Sequence, residues 1–330
     1  MASLRIGMRL SGAVPARRCF ELASMAEAFG LASIWFAENP MERSVAPALG
    51  ACAMATTRIE LGVGVWNPFM RHPAQIAMEA GTLDEMTGGR LALGLGSGLA
   101  APIARLGIDN ARTLAALRDS VTIVRGLLGG EAFTYRGTAF SVEDMKLSFK
   151  PVRADVPVLM AARGPNALAL AGEIADGLIV SNMCPPAFAA HAASIAKPGR
   201  LVQYVPCAVG PDRAKAMAIM KPVLAGMLKT FWGLAQKVPA AHTSLVAHSG
   251  IPDADFAAAA ASGEPDERFF EAFTVTGDAD DCRRRVAAYR TAGVTDLVVT
   301  FVGPDPIHDM AWLLRAASLR AASSRAEEAR

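Results

Sequence analysis

Short apolar runs rich in Val, Ile and Leu alternate along the chain with stretches whose apolar residues recur at helical spacing. The runs at residues 4–10, 33–37, 59–65, 91–95, 156–161, 177–181, 201–209 and 296–302 predict strands. Between them, Leu114, Leu117, Val121, Val124 and Leu127 form one stripe of a helix spanning 113–128,. Pro15 suits the first turn of the first helix and Gly30 its end,. Strands alternating with helices build βαβ units around a parallel sheet, and eight such strands close a barrel. The predicted fold is therefore α/β, a (β/α)₈ TIM barrel in one domain over residues 1–330. Two connections exceed what a barrel needs. Residues 98–157, after strand four, include an extended patch at 132–149. Residues 211–274, after strand seven, hold Phe231, Trp232, several Met and an Ala-rich run, and read as helical. Long insertions serve as lids or partner surfaces. The Arg/Ala/Glu tail after Leu319 is expected to fray,.

Composition narrows the function classes. At 52% hydrophobic and 19% charged, the 330 residues can bury a large core,. The formal charge is +2 and no basic run follows, so nucleic acid is not an expected partner,. Cys19, Cys52, Cys184, Cys207 and Cys282 are scattered, odd in number and without a CxxC pair, which fits a reducing compartment,. No signal segment or membrane-length apolar run is evident, so a cytoplasmic protein with no membrane partner is expected,.

Barrel enzymes place their chemistry at the carboxyl ends of strands. Glu38 and Asn39 follow strand two; a carboxylate there serves either chemistry or an ion pair, with Arg71 the available partner,. After strand three, Gly62 and Gly64 point to close backbone approach or to tight packing,. His72, between Arg71 and Pro73, reads as a helix anchor or as a base. The stretch from Gly96 to Ala101 matches GxGxxA, but it lies on the fourth strand and Asp119 falls in a helical pattern, so a Rossmann site is not expected,. Small residues there suit a flat ring or a phosphate. After strand five, Gly164-Pro165-Asn166 opens a helix whose free N–H groups suit a phosphate,. Asn182 follows strand six. No HExxH, GxSxG or Walker loop appears, and no metal site is expected; the chemistry is assigned to a bound cofactor,.

Gly64-Val65-Trp66-Asn67-Pro68 with Arg71-His72-Pro73, the run from Leu83 to Gly96, and Gly164-Pro165-Asn166 with Leu170 to Gly177 resemble the luciferase-like flavin and deazaflavin oxidoreductases. Within that family the likeness is to methylenetetrahydromethanopterin reductases, and it extends to residues 248–252 and 271–282. The resemblance implies a barrel that carries coenzyme F-420 as hydride carrier or, alternatively, FMN. It implies a non-proline cis peptide at Gly64–Val65 against the ring, a cofactor phosphate near Ser97, Gly98 and the helix at Gly164-Pro165-Asn166, and Glu38 and Asn39 along the ring's polar edge. Asn67 and Asn182 would complete the cofactor set. Glu38, with His72 second, would be the acid-base candidate. One departure stands out: Arg9 occupies the place of a reductase glutamate. A cation there points away from a methanopterin and toward a negatively charged or carbonyl-bearing small-molecule substrate. Three readings follow: a deazaflavin hydride-transfer enzyme beneath the 211–274 insertion, an FMN-dependent monooxygenase, and a catalytically silent flavin-binding protein. The Met- and aromatic-bearing insertion also suggests a homo-oligomer.

Overall fold

The computed structural model describes the backbone over residues 4–327 and side chains through residue 317. Each of the eight expected runs forms a strand. In chain order the strands are β1 (Arg5–Ser11), β2 (Ser33–Ala37), β3 (Glu60–Trp66), β4 (Leu91–Leu95), β5 (Phe133–Arg136), β6 (Ser141–Met145), β7 (Val158–Ala161), β8 (Gly177–Val180), β9 (Leu201–Val209), β10 (Val275–Gly277) and β11 (Asp296–Phe301). The extended patch in the first long connection is the antiparallel hairpin β5–β6. The brief β10, parallel to β9, escaped the sequence reading, because Val-Thr-Gly is too short to show an alternation. The part of the expected fraying tail beyond Glu327 lies outside the described residues.

The chain forms two compact units. The first holds Gly7–Ile179 and Ile195–Leu201. Its parallel strands run in the order β1-β2-β3-β4-β7-β8. The second carries the parallel set β10-β9-β11. β1 passes between the units at Ile6 and Gly7, and β8 at Ile179 and Val180. The fold class is the (β/α)₈ barrel.

Parallel strands covered on both faces read as continuous apolar runs, and β2 and β4 are buried at every position,. Trp35 of β2 is wholly buried and donates from Nε1 to Ser33 Oγ at 3.1 Å. Its indole fills the space beside Gly62, where any Cβ would collide with the ring. The first helix, Ala16–Phe29, starts directly after Pro15 and stops at Gly30, whose φ of 87° turns its N–H back onto the carbonyls of Ala26 and Glu27,. In the helix Thr113–Leu128, Leu117, Val121, Val124 and Leu127 are buried as expected, whereas Leu114 is 39% exposed.

The amino-terminal ends of β2–β4 are tied by charged side chains that hold the backbone. Glu27 accepts the N–H groups of Thr57, Arg58 and Ile59 at 2.7–3.1 Å. Burial alone would raise its pKa, but these donors pull the carboxyl down to about 2,. Arg90 donates to the carbonyls of Ile59 at 2.6 Å and Thr56 at 2.8 Å. Asp84, with its side chain 1% exposed, pairs with Arg153 at 2.8 Å, and Arg153 also donates to Leu91 O. Glu60 pairs with Arg200, whose guanidinium lies 5.4 Å from the Trp35 ring centre.

In the second unit the long insertion is helical, as its composition predicted: Arg213–Ala235, Asp253–Ser262 and Glu267–Phe273. Met217, Met227, Phe231 and Trp232, among its apolar residues, are partly buried. Met220, Leu224, Leu228, Phe256, Phe269 and Phe273 are consumed in a core of their own. Amphipathic helices bury their apolar stripe against one another before any partner arrives.

Candidate active site

The carboxyl ends of β2, β3 and β4 are joined by a belt of polar contacts in the first unit. Asn67 follows β3 and is 7% exposed. Its Nδ2 donates to Ser97 O, past the end of β4, at 2.7 Å, and its Oδ1 accepts the Phe69 N–H at 2.9 Å. The Arg71 N–H donates to Asn67 O at 3.1 Å. The Arg71 guanidinium then grips Glu38, past the end of β2, with both terminal nitrogens, Nη2 reaching Oε1 at 3.0 Å. Arg71 Nε lies 2.9 Å from Glu79 Oε2, near enough for an ion pair but not aligned as a hydrogen bond. Its Cζ sits 5.0 Å from the Trp66 ring centre, a cation–π distance,. Burial opposes the charge on Arg71, but Glu38 and Glu79 overcome it and hold the guanidinium above its ordinary pKa. Of the two readings open for Glu38, the ion pair with Arg71 is present. Glu38, Asn39, Met70 and Arg71 line a cavity of about 250 Å³. Asn39 is exposed and donates to Glu42 Oε2 at 3.0 Å, and Arg43 Nη1 ties the same loop to Gly12 O at 3.0 Å.

The Gly64–Val65 peptide is cis. Here the pairing of β3 with β4 shifts register between Val63 and Trp66. This irregularity explains the glycines of β4. A Cβ on Gly96 would lie 2.8 Å from Val65 Cγ2 and 3.1 Å from Ala161 Cβ, and one on Gly94 would collide with Val63 O. The expectation that the small residues from Gly96 onward open space for a ring is therefore corrected for Gly96, which, like Gly94, makes room for β3. Gly98 differs: it is exposed, has φ of 60°, and its nearest neighbour for a Cβ is Asn67 Nδ2 at 3.5 Å. The neighbouring Ser97 hydroxyl has only a marginal contact, with Gly98 O at 3.5 Å. The GxGxxA match yields a six-residue helix, Ala100–Arg105, and no Rossmann turn. Asp119 instead clamps the hairpin, accepting from Tyr135 Oη at 2.9 Å and from the Ala139 and Phe140 N–H groups.

β7 neighbours β4, with Leu95 opposite Met160. Past its end, Gly164 is the N-cap of the helix Pro165–Ile174 and supplies no side-chain cap; Pro165 takes the first turn. Asn166 is exposed and borders a cavity of about 490 Å³ with Arg118, Tyr135 and Glu173. His72 takes the anchoring geometry: it caps the helix Pro73–Thr87, its Nδ1 accepting from the Ala74 N–H at 3.2 Å, and its exposed ring packs edge-on to Phe140 at 5.5 Å. Arg9 is half-buried within β1, opposite Trp35 of β2. Asn182 stands after β8 in the second unit, beside Met183 with φ of 61°.

The fold thus joins Glu38 and Asn67 through Arg71 and Ser97 through Asn67, with Gly64, Val65 and Gly98 on the same strand ends and Gly164-Pro165-Asn166 on the next. The sequence offered Arg71 only as a partner for Glu38. Its place as hub, and the second carboxylate on Glu79, carry no local signal, because Glu38 lies past β2, Arg71 before the helix Pro73–Thr87 and Glu79 within it, and the three meet only in the fold.

The sequence model of the family described as luciferase-like monooxygenase matches residues 1–296. A 5,10-methylenetetrahydromethanopterin reductase of Methanolobus tindarius is 31% identical over 315 residues, covering 92% of this chain and 96% of its own. An F-420-dependent glucose-6-phosphate dehydrogenase of Microbacterium testaceum is 30% identical, covering 85% and 82%. Among solved structures, the coenzyme F-420 dependent tetrahydromethanopterin reductase of Methanopyrus kandleri superposes with a TM-score of 0.84 over 97% of this chain and 99% of its own, at 24% identity.

Proposed function

We propose, from the premise that the chain belongs to the luciferase-like monooxygenase family, that it is an oxidoreductase transferring hydride between coenzyme F-420 and a small organic substrate. The observation that carries the reading is the juxtaposition, on the neighbouring strand ends of β4 and β7, of a half-buried Ser97 and exposed Gly98 with an uncapped helix start at Gly164-Pro165-Asn166. Hydroxyl and main-chain N–H donors at a helix amino terminus suit a phosphate. The residues present therefore fit a phosphate-bearing ring cofactor. Ser97, Gly98 and the helix start would hold the phosphate. Gly64 and Val65 would back the ring, and Glu38, Asn39 and Asn67 would meet its polar edge. Relatives named for F-420 favour the deazaflavin.

When bound, that cofactor supplies the carbon that carries hydride. The chain's own part is orientation and exclusion of water. Glu38 contributes a fixed carboxylate and His72 holds the helix that carries its support. Arg9 favours a substrate with negative charge or a carbonyl; Arg9→Met is expected to raise KM for such a substrate, and unchanged KM would remove Arg9 from the site. The same reading makes the protein a cytoplasmic homo-oligomer, for which the exposed Met54, Met78 and Met86 offer apolar surface. Among the described residues, no helix is long and apolar enough to cross a membrane.

A second reading, an FMN-dependent monooxygenase, is favoured by the description of the family itself. Titrating the protein in parallel with F-420 and FMN, followed by tryptophan quenching, separates the two. Tight binding of F-420 alone supports hydride transfer. Tight binding of FMN alone replaces it with oxygen chemistry.

A further inference from the structure

We propose that Arg71 is a positioning residue for Glu38, and that it sets the acceptor edge against which the cofactor ring lies. The inference rests on the reading above that Glu38 meets the bound ring. It goes beyond it by assigning how that carboxylate is held and which ligand edge it selects.

Glu38 and Arg71 have side chains 8% and 13% exposed, so neither is steadied or screened by much water. A guanidinium this buried requires compensation, and Arg71 has two carboxylates and the Trp66 face around it,. Glu79 is the informative member. Glu38 alone would neutralise Arg71; a second carboxylate leaves the cluster with one more negative than positive group. Arg71 spends one N–H on each Glu38 oxygen. A carboxylate oxygen has more than one lone pair, so each keeps acceptor capacity after that fork is made. An ionised carboxylate accepts and cannot donate. An edge built this way selects a ligand N–H, such as the lactam N–H of a flavin-like ring, over a carbonyl.

The arrangement also fixes orientation. The planar fork sets the plane of the carboxylate, which a lysine would not do. Arg71 is held in turn: its own N–H is bonded to Asn67 O, Asn67 to Ser97 O, and the helix just beyond it is capped by His72. Displacement at Ser97, at the phosphate end of the site, would therefore reach Glu38 through two side chains.

A binding cycle tests this without any need for the substrate. F-420 affinity by tryptophan quenching, and the melting temperature, are measured for the native protein, Arg71→Lys, Arg71→Met, Glu38→Gln and the Arg71→Met/Glu38→Gln pair. Arg71→Met and Glu38→Gln are each expected to weaken F-420 binding about tenfold. The pair is expected to be no weaker than its worse member, with Arg71→Lys in between. Losses that multiply in the double variant would show that Arg71 does not act through Glu38. Unchanged F-420 affinity in Arg71→Met, with a lowered melting temperature, would reduce the contact to a structural staple. If Arg71→Met does not fold, Arg71→Lys and Glu38→Gln with their double variant carry the same cycle. If the native protein binds FMN and not F-420, the proposed function falls while the cycle run on FMN still decides the role of Arg71; binding of neither ring overturns both.

Discussion

The two ends of β2, β3 and β4 are both rich in charge, yet the charges do different things. At the amino ends they clasp backbone: Glu27 takes three consecutive N–H groups, Arg90 fills the carbonyls that end one helix and precede β3, and Arg153 reaches Leu91 O while paired to Asp84. Loop polar groups that would otherwise be orphaned are satisfied there, which is a stability device. At the carboxyl ends the charged contacts run from side chain to side chain, Arg71 to Glu38 and Glu79, while the neutral Asn67 holds the Ser97 carbonyl; beyond them Gly98 is exposed and the helix start after Gly164 carries no side-chain cap. Charge that closes backbone holds a fold together. Charge that holds other side chains in place, beside open backbone, prepares a site. The division agrees with the general asymmetry of such barrels.

The comparison breaks most visibly at Asp84. Replacing it by Ala strands the Arg153 guanidinium and is expected to cost about 3–5 kcal/mol in chemical denaturation. The folded protein should keep its cofactor affinity; a parallel loss of F-420 affinity would mean the amino end is not merely structural. Asn67→Ala should show the opposite balance. Losing the bonds to Ser97 O and the Phe69 N–H costs about 1–2 kcal/mol, and cofactor affinity should fall several-fold in the same titration. Glu27→Gln gives the smallest effect and sharpens the comparison through pH. Because the folded carboxyl sits at about 2, below its ordinary 4.5, its contribution is complete above roughly pH 4.5 and disappears as pH falls through 2,. With the group partly open to water, about 0.5 kcal/mol is expected at neutral pH,. The melting-temperature gap between native protein and variant should close on acidification, and a gap that widens toward acid would reverse the assignment.

Much of the fold was legible because its signal is local. Continuous apolar runs identified the strands of a doubly covered sheet, Pro15 and Gly30 bracketed the first helix, and the stripe from Leu117 to Leu127 found its core face. Leu114 and the short β10 were misjudged or missed because a few residues at the end of a pattern carry too little periodicity. The glycines of β4 misled for another reason. What a missing Cβ makes room for is decided by the neighbour across the sheet, here Val65 and the Val63 carbonyl, and no residue near Gly94 or Gly96 in the chain announces it. Composition likewise does not say which apolar residue of the insertion faces another helix of the same segment: Phe256, Phe269 and Phe273 are buried there, while Phe231 and Trp232 are only partly so.

By itself, then, the sequence determined the alternation of strands and helices, the barrel class, the family likeness and the short list of strand-end residues from which a site could be built. These follow from period, capping and motif, which are properties of neighbours in the chain. Only the tertiary structure decided that Arg71 links Glu38 to Asn67 and Asn67 holds Ser97, that Glu79 adds a second carboxylate, and that His72 is spent on a helix cap. Those outcomes depend on which strand ends the sheet places side by side. Hydrogen bonds and ion pairs act over a few ångströms of space, whatever the distance along the chain.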